Sequence, residues 1–291
     1  MNYFTYLVFI GFVNLFRILP FRISYIISDV SFFIVYYLVG YRKKVVFKNL
    51  VISFPEKPEE EIRKIAKRFY QHLCDLSVEI FKSFTLKEKD AVKRYLMENP
   101  GLVDDLWRKG KSGICAGGHY GNWEWAGIAS GMQIKHLPVG LYKPLSNKWI
   151  DSYIQKRRVK GRAKLVSITN TAAGFATDYG EPALFYMISD QSPSSPKVAY
   201  WINFLNQDTA VLHGIEKYAR LYNLPVIFVA ARKIKRGYYK VMFSIITDDP
   251  SKTKRGEITE KYMRALEDVI REKPEYYLWS HRRWKHKRVN N

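Results

Sequence analysis

The chain has 291 residues, of which 47% are apolar, so it can bury a sizeable core in one large domain. Its 48 lysines and arginines against 27 acids give a formal charge of +21, which favours phosphates, anionic lipid surfaces or an acidic protein as partners. The two cysteines, Cys74 and Cys115, exclude a disulfide framework and a metal cluster, and they suit a reducing compartment.

Two apolar stretches, residues 3–16 and 23–39, open the chain. The first is short for a membrane crossing and the second is marginal, because a full crossing takes about 20 apolar residues. No basic region precedes the first stretch and no small-residue cleavage site follows it, which argues against a removed signal peptide. We therefore expect residues 1–41 to be a membrane-anchoring helical segment. The alternative is an ordinary buried helical hairpin.

A helical preface is expected after this segment, over residues 42–110. It begins with three cations, Arg42-Lys43-Lys44, which mark the cytoplasmic side of a membrane helix and predict an inner-membrane protein whose bulk lies in the cytoplasm. Residues 58–80 place apolar side chains at helical spacing after a first turn of acids, which predicts an amphipathic helix. His72 and Cys74 belong to this helix, as core or flank positions. One or two further helices are expected over residues 86–108.

From Lys111 onward, short apolar runs alternate with helical patterns, which is typical of a largely parallel sheet with crossover helices. Strands are expected near residues 112–116, 136–142, 163–167, 182–188, 225–231 and 238–246. Helices are expected near residues 122–131, 147–158, 170–178, 209–222 and 256–272, with Thr209 as an N-cap. The predicted fold is therefore α/β, with a core over residues 111–291 behind the N-terminal helices.

The stretch Gly117 to Trp125 reads GGHYGNWEW and predicts a strand end, a glycine turn and a helix start. It places His119 at the carboxyl end of a strand, where open α/β sheets keep their sites, and Glu124 about one helical turn further on. A carboxylate that accepts a hydrogen bond from one imidazole nitrogen leaves the other nitrogen free to take a proton. Among six histidines, only His119 has an acid five residues on. The pair predicts a general base, and the alternative is a structural histidine near a helix-capping glutamate.

Other reaction classes lack their motifs in this sequence. Serine hydrolases need a Gly-x-Ser-x-Gly elbow, and nucleotide enzymes show a Walker loop or Gly-x-Gly-x-x-Gly after a strand; all are absent. Cys115, four residues before His119, is a conceivable nucleophile, but in mid-strand it points away from a loop site as often as toward it. Direct acyl transfer needs only a base, an orienting carboxylate and donors for an oxyanion, and these can all be supplied.

The GGHYGNWEW stretch resembles the His-x4-Glu box of the bacterial lipid A late acyltransferases, the lauroyl/myristoyl transferase family of the lysophospholipid acyltransferase superfamily. Further similar segments follow the family order: Lys48-Asn49-Leu50, Phe54-Pro55-Glu56, Tyr142-Lys143-Pro144, an arginine shortly before Gly161, Asp190-Gln191, Phe204 with Thr209 and Gly214, Arg232, and Tyr277 to Lys285. The resemblance covers nearly the whole chain. It implies a glycerolipid acyltransferase-like fold, with residues 42–291 as the acyltransferase domain.

The resemblance also implies roles for individual residues. His119 and Glu124 match the catalytic pair, acting without a cofactor, a metal or an acyl-enzyme. Arg157 matches the family arginine four residues before a glycine, and Arg158 remains an alternative; either would contact an oxyanion or a phosphate. Supporting positions around the pair are Asn122, Asp190, Gln191 and Arg232. For Asp190, a plain strand-ending turn is equally compatible with the residues alone.

The expected donor is an acyl chain on acyl carrier protein, an acidic partner that a surface of +21 attracts, or on coenzyme A, which is polyanionic. The resemblance implies a lipid A precursor as acceptor, while lysophospholipids, aminolipids and glycolipids remain open.

The C-terminal tail interleaves tryptophans with cations, as in Arg282, Arg283, Trp284 and Lys285, which suits an anionic membrane surface. No nucleic acid is expected, since zinc-finger spacing and RNA-binding aromatic signatures are absent. The alternative to an enzyme is a non-catalytic basic membrane or nucleic-acid binder.

Overall fold

The computed structural model describes residues 2–159, 162–196 and 199–288. The helices in these ranges are α1 (Asn2–Ile18), α2 (Phe21–Phe33), α3 (Lys43–Ser53), α4 (Glu59–Ser83), α5 (Glu88–Arg94), α6 (Gly101–Arg108), α7 (Ala126–Ala129), α8 (Lys148–Arg158), α9 (Thr171–Ala176), α10 (Gly214–Tyr222) and α11 (Glu257–Glu272). The strands are β1 (Tyr95–Met97), β2 (Gly113–Gly117), β3 (Leu137–Tyr142), β4 (Lys164–Ser167), β5 (Ala183–Ile188), β6 (Tyr200–Phe204), β7 (Gln207–Val211), β8 (Val226–Lys235) and β9 (Tyr238–Thr247). A π-helical turn, Ile34–Val39, continues α2.

Seven strands form one sheet in the order β1-β9-β8-β2-β5-β3-β4. Every neighbouring pair is parallel except β8 and β9, which are antiparallel. Helices α3, α4, α10 and α11 cover one face, and α5, α6 and α7 cover the other. Strand β2 is buried along its whole length, as expected for a strand covered on both faces. The predicted α/β fold with a largely parallel sheet is confirmed.

The helix predicted over residues 209–222 is wrong in its first part. Residues up to Val211 belong to β7, which pairs with β6 across a two-residue turn, and the helix begins at Gly214. Leu205 and Asn206 both have positive φ, at 50° and 62°, which is the geometry of a tight hairpin turn that matches strand twist. Thr209 is therefore a strand residue and not an N-cap.

The helix predicted over residues 122–131 is shorter than expected. It spans only Ala126–Ala129 and ends in a 3₁₀ turn, because the Asn122 side chain accepts a hydrogen bond from the Trp125 backbone and holds the preceding residues in a turn. Strand β1, at the sheet edge, interrupts the segment predicted as helical over residues 86–108.

The N-terminal helices pack along α4. The π-extended α2 runs antiparallel to α4, and α1 contacts both the end of α4 and α8. The helical stretch Phe21–Val39 is long and apolar enough to cross a membrane, with a mean hydropathy of 1.4, and 11% of it is buried. Length and composition alone do not distinguish a crossing helix from other apolar helices.

Three polar side chains lie on one face of α4, at His72, Asp75 and Glu79. Asp75 accepts hydrogen bonds from Ser28 of α2 and from Lys233 and Arg236 of the β8–β9 hairpin. Burial raises the pKa of the Asp75 carboxyl, but Lys233 and Arg236 lower it by more than burial raises it. The pKa therefore lies below its ordinary value. Asp75 therefore joins the N-terminal helices to the sheet as a buried anion.

Replacing Asp75 by asparagine is expected to lower the free energy of unfolding by about 3–5 kcal/mol, because it leaves Lys233 and Arg236 beside a group without charge. The matched control is Glu60→Gln, which removes the exposed ion pair with Lys64 and should change stability by less than about 1 kcal/mol. Urea unfolding of the detergent-solubilised protein, followed by tryptophan fluorescence, compares the two. Equal losses would contradict a special role for the buried anion.

Candidate active site

The turn after β2 carries the candidate base and is fixed by its glycine and by the C-terminal segment. Gly121 has a φ of 62°, and a Cβ there would lie 2.0 Å from the Ala231 carbonyl oxygen. Its backbone N–H donates to the Tyr276 carbonyl, and Leu278 N–H donates to the His119 carbonyl. The turn can therefore hold this shape only with glycine at position 121.

His119 is paired with Asp190. Its Nδ1 lies 2.6 Å from Asp190 Oδ1, and its backbone N–H donates to Asp190 Oδ2 over 3.1 Å. Strands β2 and β5 are parallel neighbours with Gly117 opposite Ile188, so the residues two positions beyond each strand end meet. Asp190 is 2% exposed and the His119 side chain 18%. The carboxylate thus fixes both the backbone and the imidazole.

Glu124 is predicted to hydrogen-bond to the imidazole, but in this structure it has a different partner. Glu124 Oε2 instead accepts a hydrogen bond from Arg158 Nη2 at 2.6 Å, and the carboxylate on His119 Nδ1 belongs to Asp190. The short α7 explains the difference, because Glu124 precedes the helix and is not carried one helical turn above His119. The sequence predicts Asp190 at this sheet edge only as a supporting residue. The direct pairing of β2 with β5 is what makes it the partner of the imidazole.

The second ring nitrogen of His119 faces Gln191. The Gln191 amide nitrogen lies 3.2 Å from His119 Nε2, which fits an amide N–H that donates to a neutral imidazole. Nδ1 then carries the proton and donates a hydrogen bond to Asp190, so the free lone pair is on Nε2. This is the tautomer that a general base requires.

The pKa of His119 is set by opposing effects. Burial lowers it, while the charge and hydrogen bond of Asp190, and more weakly the charge of Glu124, raise it, so that it lies above its ordinary value. Asp190, in turn, has a lowered pKa, because His119 and Arg283 outweigh the effect of its burial. The pair is therefore built to stabilise a protonated imidazole.

Asn122 lies behind the turn and does not contact the imidazole. It is fully buried, and its amide donates to Glu79 of α4 at 2.7 Å. The Glu79 carboxyl also accepts hydrogen bonds from Tyr25 and Tyr239, and the Glu79 backbone carbonyl accepts one from the Trp125 indole. The turn that carries His119 is thereby attached to α4.

The three predicted arginines lie in different surroundings. Arg158 pairs with Glu124, and Arg157 stacks on the Tyr153 ring with its guanidinium 5.1 Å from the ring centre. Both line one pocket, although Gly161, the glycine used to align them, lies outside the described residues. Arg232 pairs with Glu272, and none of its described contacts reaches His119.

A mostly apolar pocket of about 170 Å³ opens beside the turn. The charged side chains of its lining, Glu124, Arg157, Arg158 and Lys164, are partly or fully exposed and therefore mark its entrance. Apolar lining residues such as Tyr95, Met97, Cys115 and Val241 are buried and form its interior. Trp123 also lines it, with its ring centre 4.9 Å from that of His119. A charged entrance above an apolar interior suits a fatty acyl chain with a polar end.

Cys115 lies in this pocket lining but is fully buried in β2. Burial raises the pKa of its thiol well above the ordinary value, so the thiolate needed for attack is disfavoured. A nucleophilic role for Cys115 has no support in this environment.

The tryptophans of the C-terminal tail are buried or half-buried, and not exposed as expected. Trp279 is fully buried, and Trp284 donates to the Thr209 hydroxyl. Arg283 is buried as well and donates to the Ala210 carbonyl. These side chains hold the tail against β7, which leaves Arg282, Lys285, Lys287 and Arg288 as its exposed cations.

A family model described as bacterial lipid A biosynthesis acyltransferase matches residues 1–286. The chain is 24% identical over 259 residues to the lipid A biosynthesis lauroyltransferase of Escherichia coli (strain K12), covering 84% of this chain and 79% of that protein. It is 22% identical over 256 residues to the lipid A biosynthesis palmitoleoyltransferase of the same organism and to the lipid A biosynthesis acyltransferase of Shigella flexneri, with the same coverage. The family match includes every residue of the candidate site.

Asp190→Asn is expected to lower the pKa of His119, because it removes the carboxylate that stabilises the protonated ring. Glu124→Gln should lower it less, since Glu124 acts only through its charge at a distance. Nuclear magnetic resonance of ¹⁵N-labelled histidine in the detergent-solubilised protein measures both shifts. A larger shift in Glu124→Gln would mean that Glu124, and not Asp190, is the partner of the imidazole.

Proposed function

Because the chain belongs to the bacterial lipid A biosynthesis acyltransferase family, we propose that it transfers a fatty acyl chain from an acyl thioester to a hydroxyl group of a lipid A precursor. The observation that carries this proposal is the His119 imidazole, held by Asp190 with Nε2 as the acceptor nitrogen, next to the apolar pocket. Two relatives are named for lauroyl and palmitoleoyl transfer, which supports a fatty acyl group here.

In the proposed reaction His119 Nε2 removes the proton of the lipid hydroxyl as its oxygen attacks the thioester carbonyl. The acceptor hydroxyl takes the place of the Gln191 amide on Nε2. The tetrahedral oxyanion then collapses, the carbon–sulfur bond breaks, and the leaving thiolate takes the proton from the imidazolium. No acyl-enzyme forms, so Cys115 has no covalent role.

Asp190 is proposed to keep the proton on Nδ1 and to stabilise the imidazolium during attack. We further propose that Glu124 holds Arg158 at the pocket entrance, where the guanidinium meets the oxyanion or a phosphate of either substrate. Glu124 also adds negative charge near the ring, which supports protonation of His119. Arg157 is the neighbouring cation, and its stacking on Tyr153 supports a substrate-binding role.

The donor is proposed to be acyl carrier protein or coenzyme A, both strongly anionic. The entrance presents Arg157, Arg158 and Lys164, and the whole chain carries +21. Charge of this sign raises the rate of encounter with anionic partners. We place residues 42–291 on the cytoplasmic side of the inner membrane as the acyltransferase domain, with residues 1–41 as its membrane anchor.

Asp190→Asn is expected to lower kcat by about two to four orders of magnitude, because asparagine favours the wrong imidazole tautomer. Its pH–rate profile should also change. The wild-type rate rises with pH through a pKa above the ordinary histidine value, since only neutral His119 acts as a base, and in the variant this limb moves to lower pH.

The assay follows transfer of a radiolabelled acyl group to a purified lipid A precursor. Cys115→Ser, inside the pocket but without a role in proton transfer, is the matched control and should retain most of the activity. A near-normal kcat in Asp190→Asn would remove Asp190 from the mechanism.

Mass spectrometry of total lipids from cells with and without the gene tests the acceptor. Lipid A from cells without the gene should lack one acyl chain, and restoring the wild-type gene, but not His119→Ala, should return it. An intact lipid A together with loss of a chain from another lipid class would overturn the lipid A assignment while retaining acyl transfer.

A further inference from the structure

The side of α2 that faces α4 is polar, although α2 is one of the most apolar helices of the described chain. Contacts along the two helices run in opposite order, so residue numbers rise in one as they fall in the other. Three of these contacts are hydrogen bonds: Lys82 donates to the Leu19 carbonyl, Tyr25 donates to Glu79 at 2.9 Å, and Ser28 donates to Asp75 at 2.8 Å. The fourth is a ring contact between Tyr36 and Tyr70, whose centres are 5.3 Å apart. The contact therefore extends along the C-terminal half of α4, from Tyr70 to Lys82.

This pairing is incompatible with a membrane crossing by α2. Asp75 binds Lys233 and Arg236, and Arg236 also bridges to Asp29 of α2 at 2.6 Å. If α2 crossed the bilayer with these contacts intact, α4 and the ion pairs would lie at the depth of the hydrocarbon. Charged side chains at that depth are strongly disfavoured. In the structure the Asp75 side chain is buried in protein and that of Lys233 nearly so, while Asp29 and Arg236 remain accessible to water.

The opposite side of α1 and α2 is exposed and apolar. The exposed apolar side chains on these helices and the π-helical turn are Tyr3, Phe4, Leu7, Val8, Phe12, Leu15, Ile18, Ile23, Ile26, Val30, Phe33, Ile34, Tyr37, Leu38 and Val39. We call this set the apolar face. Exposed cations flank it at Arg17, Arg22 and Lys44. An apolar helix face with flanking cations matches a membrane interface, whose acyl chains lie beneath anionic headgroups.

A second copy of the chain is a poorer occupant of the apolar face. Each copy carries +21, so that bringing two flanking sets of cations together is opposed by repulsion, whereas anionic lipid neutralises them. Charge complementarity thus selects a lipid surface over a symmetric dimer.

We infer that residues 2–39 lie in the plane of a single leaflet, with the apolar face among the acyl chains, and that they do not cross the membrane. In this arrangement α1 brings the pocket to the leaflet, because Phe9 contacts both Phe84, in the pocket lining, and Tyr153 of α8. A lipid acceptor can then reach the site without leaving the membrane. The topology does not depend on the proposed acyl transfer, so either can fail without the other.

Cysteine labelling distinguishes the two topologies. Arg22→Cys lies where α1 meets α2, and Lys44→Cys lies beyond the π-helical turn, while the natural Cys74 and Cys115 are buried and give the background. A membrane-impermeant maleimide is applied to the full-length protein in spheroplasts and in inverted membrane vesicles. Both cysteines should be labelled from the same side. Labelling from opposite sides would overturn the inference, since both a single crossing and a helical hairpin put residue 22 across the membrane from residue 44.

A second experiment tests the apolar face. Ile26→Glu and Val30→Glu place a charge on it, and Leu221→Glu on α10 places one at a site of similar exposure, 64% against 58% and 56%. Partition of purified protein onto phosphatidylethanolamine–phosphatidylglycerol vesicles should fall by about tenfold or more for the first two variants and stay unchanged for Leu221→Glu. Circular dichroism checks that all three are folded. Equal partition of all three would overturn the assigned face.

Discussion

A buried carboxyl group must accept hydrogen bonds or bind cations. Helix α4 buries two such groups, Asp75 and Glu79, and their partners come from several other elements of the fold. Asp75 takes its partners from α2 and the β8–β9 hairpin, and Glu79 takes its partners from α2, β9 and the turn after β2. One helix face therefore determines where the N-terminal helices lie and how the turn with His119 is supported. His72, also on this face, contacts the Gly121 carbonyl at 3.2 Å, and burial lowers the pKa of His72 to about 3, which keeps it neutral.

The chemistry of the site follows from charge at the carboxyl ends of two parallel strands. Asp190 alone would be an expensive buried anion, and His119 alone would be a buried base with a lowered pKa; each compensates the other. Glu124 and Arg158 form a second pair nearby, more exposed and at the entrance of the pocket. In the proposed reaction the first pair carries out proton transfer, at the imidazole, and the second pair contacts substrate charge, at the arginine. Under this proposal the imidazole keeps its buried carboxylate while Glu124 and Arg158 rearrange around the substrate.

Local sequence patterns predicted those parts of the fold that depend on local physics. The apolar runs of β2, β3 and β5 predicted buried strands, and the helical spacing after Pro58 predicted α4, because each pattern reports which side chains face a core. The glycines around His119 predicted a turn at a strand end, since position 121 needs positive φ. Where one local pattern is compatible with both a helix and a strand, the prediction was wrong. Residues 209–211 have a composition compatible with a helix, and only their pairing with β6 makes them a strand.

From the residue pattern alone, the α/β class of the fold, the glycine turn and the position of His119 at the end of a strand could be predicted, because each depends on local physics. Spacing along the chain also suggested Glu124 as the partner of His119, because five residues separate them. Tertiary structure decided otherwise: the parallel register of β2 and β5 brings Asp190, 71 residues away in sequence, to the imidazole, and directs Glu124 to Arg158. A hydrogen bond depends on distance and direction in space, and the distance between strands of a sheet is independent of the length of chain between them.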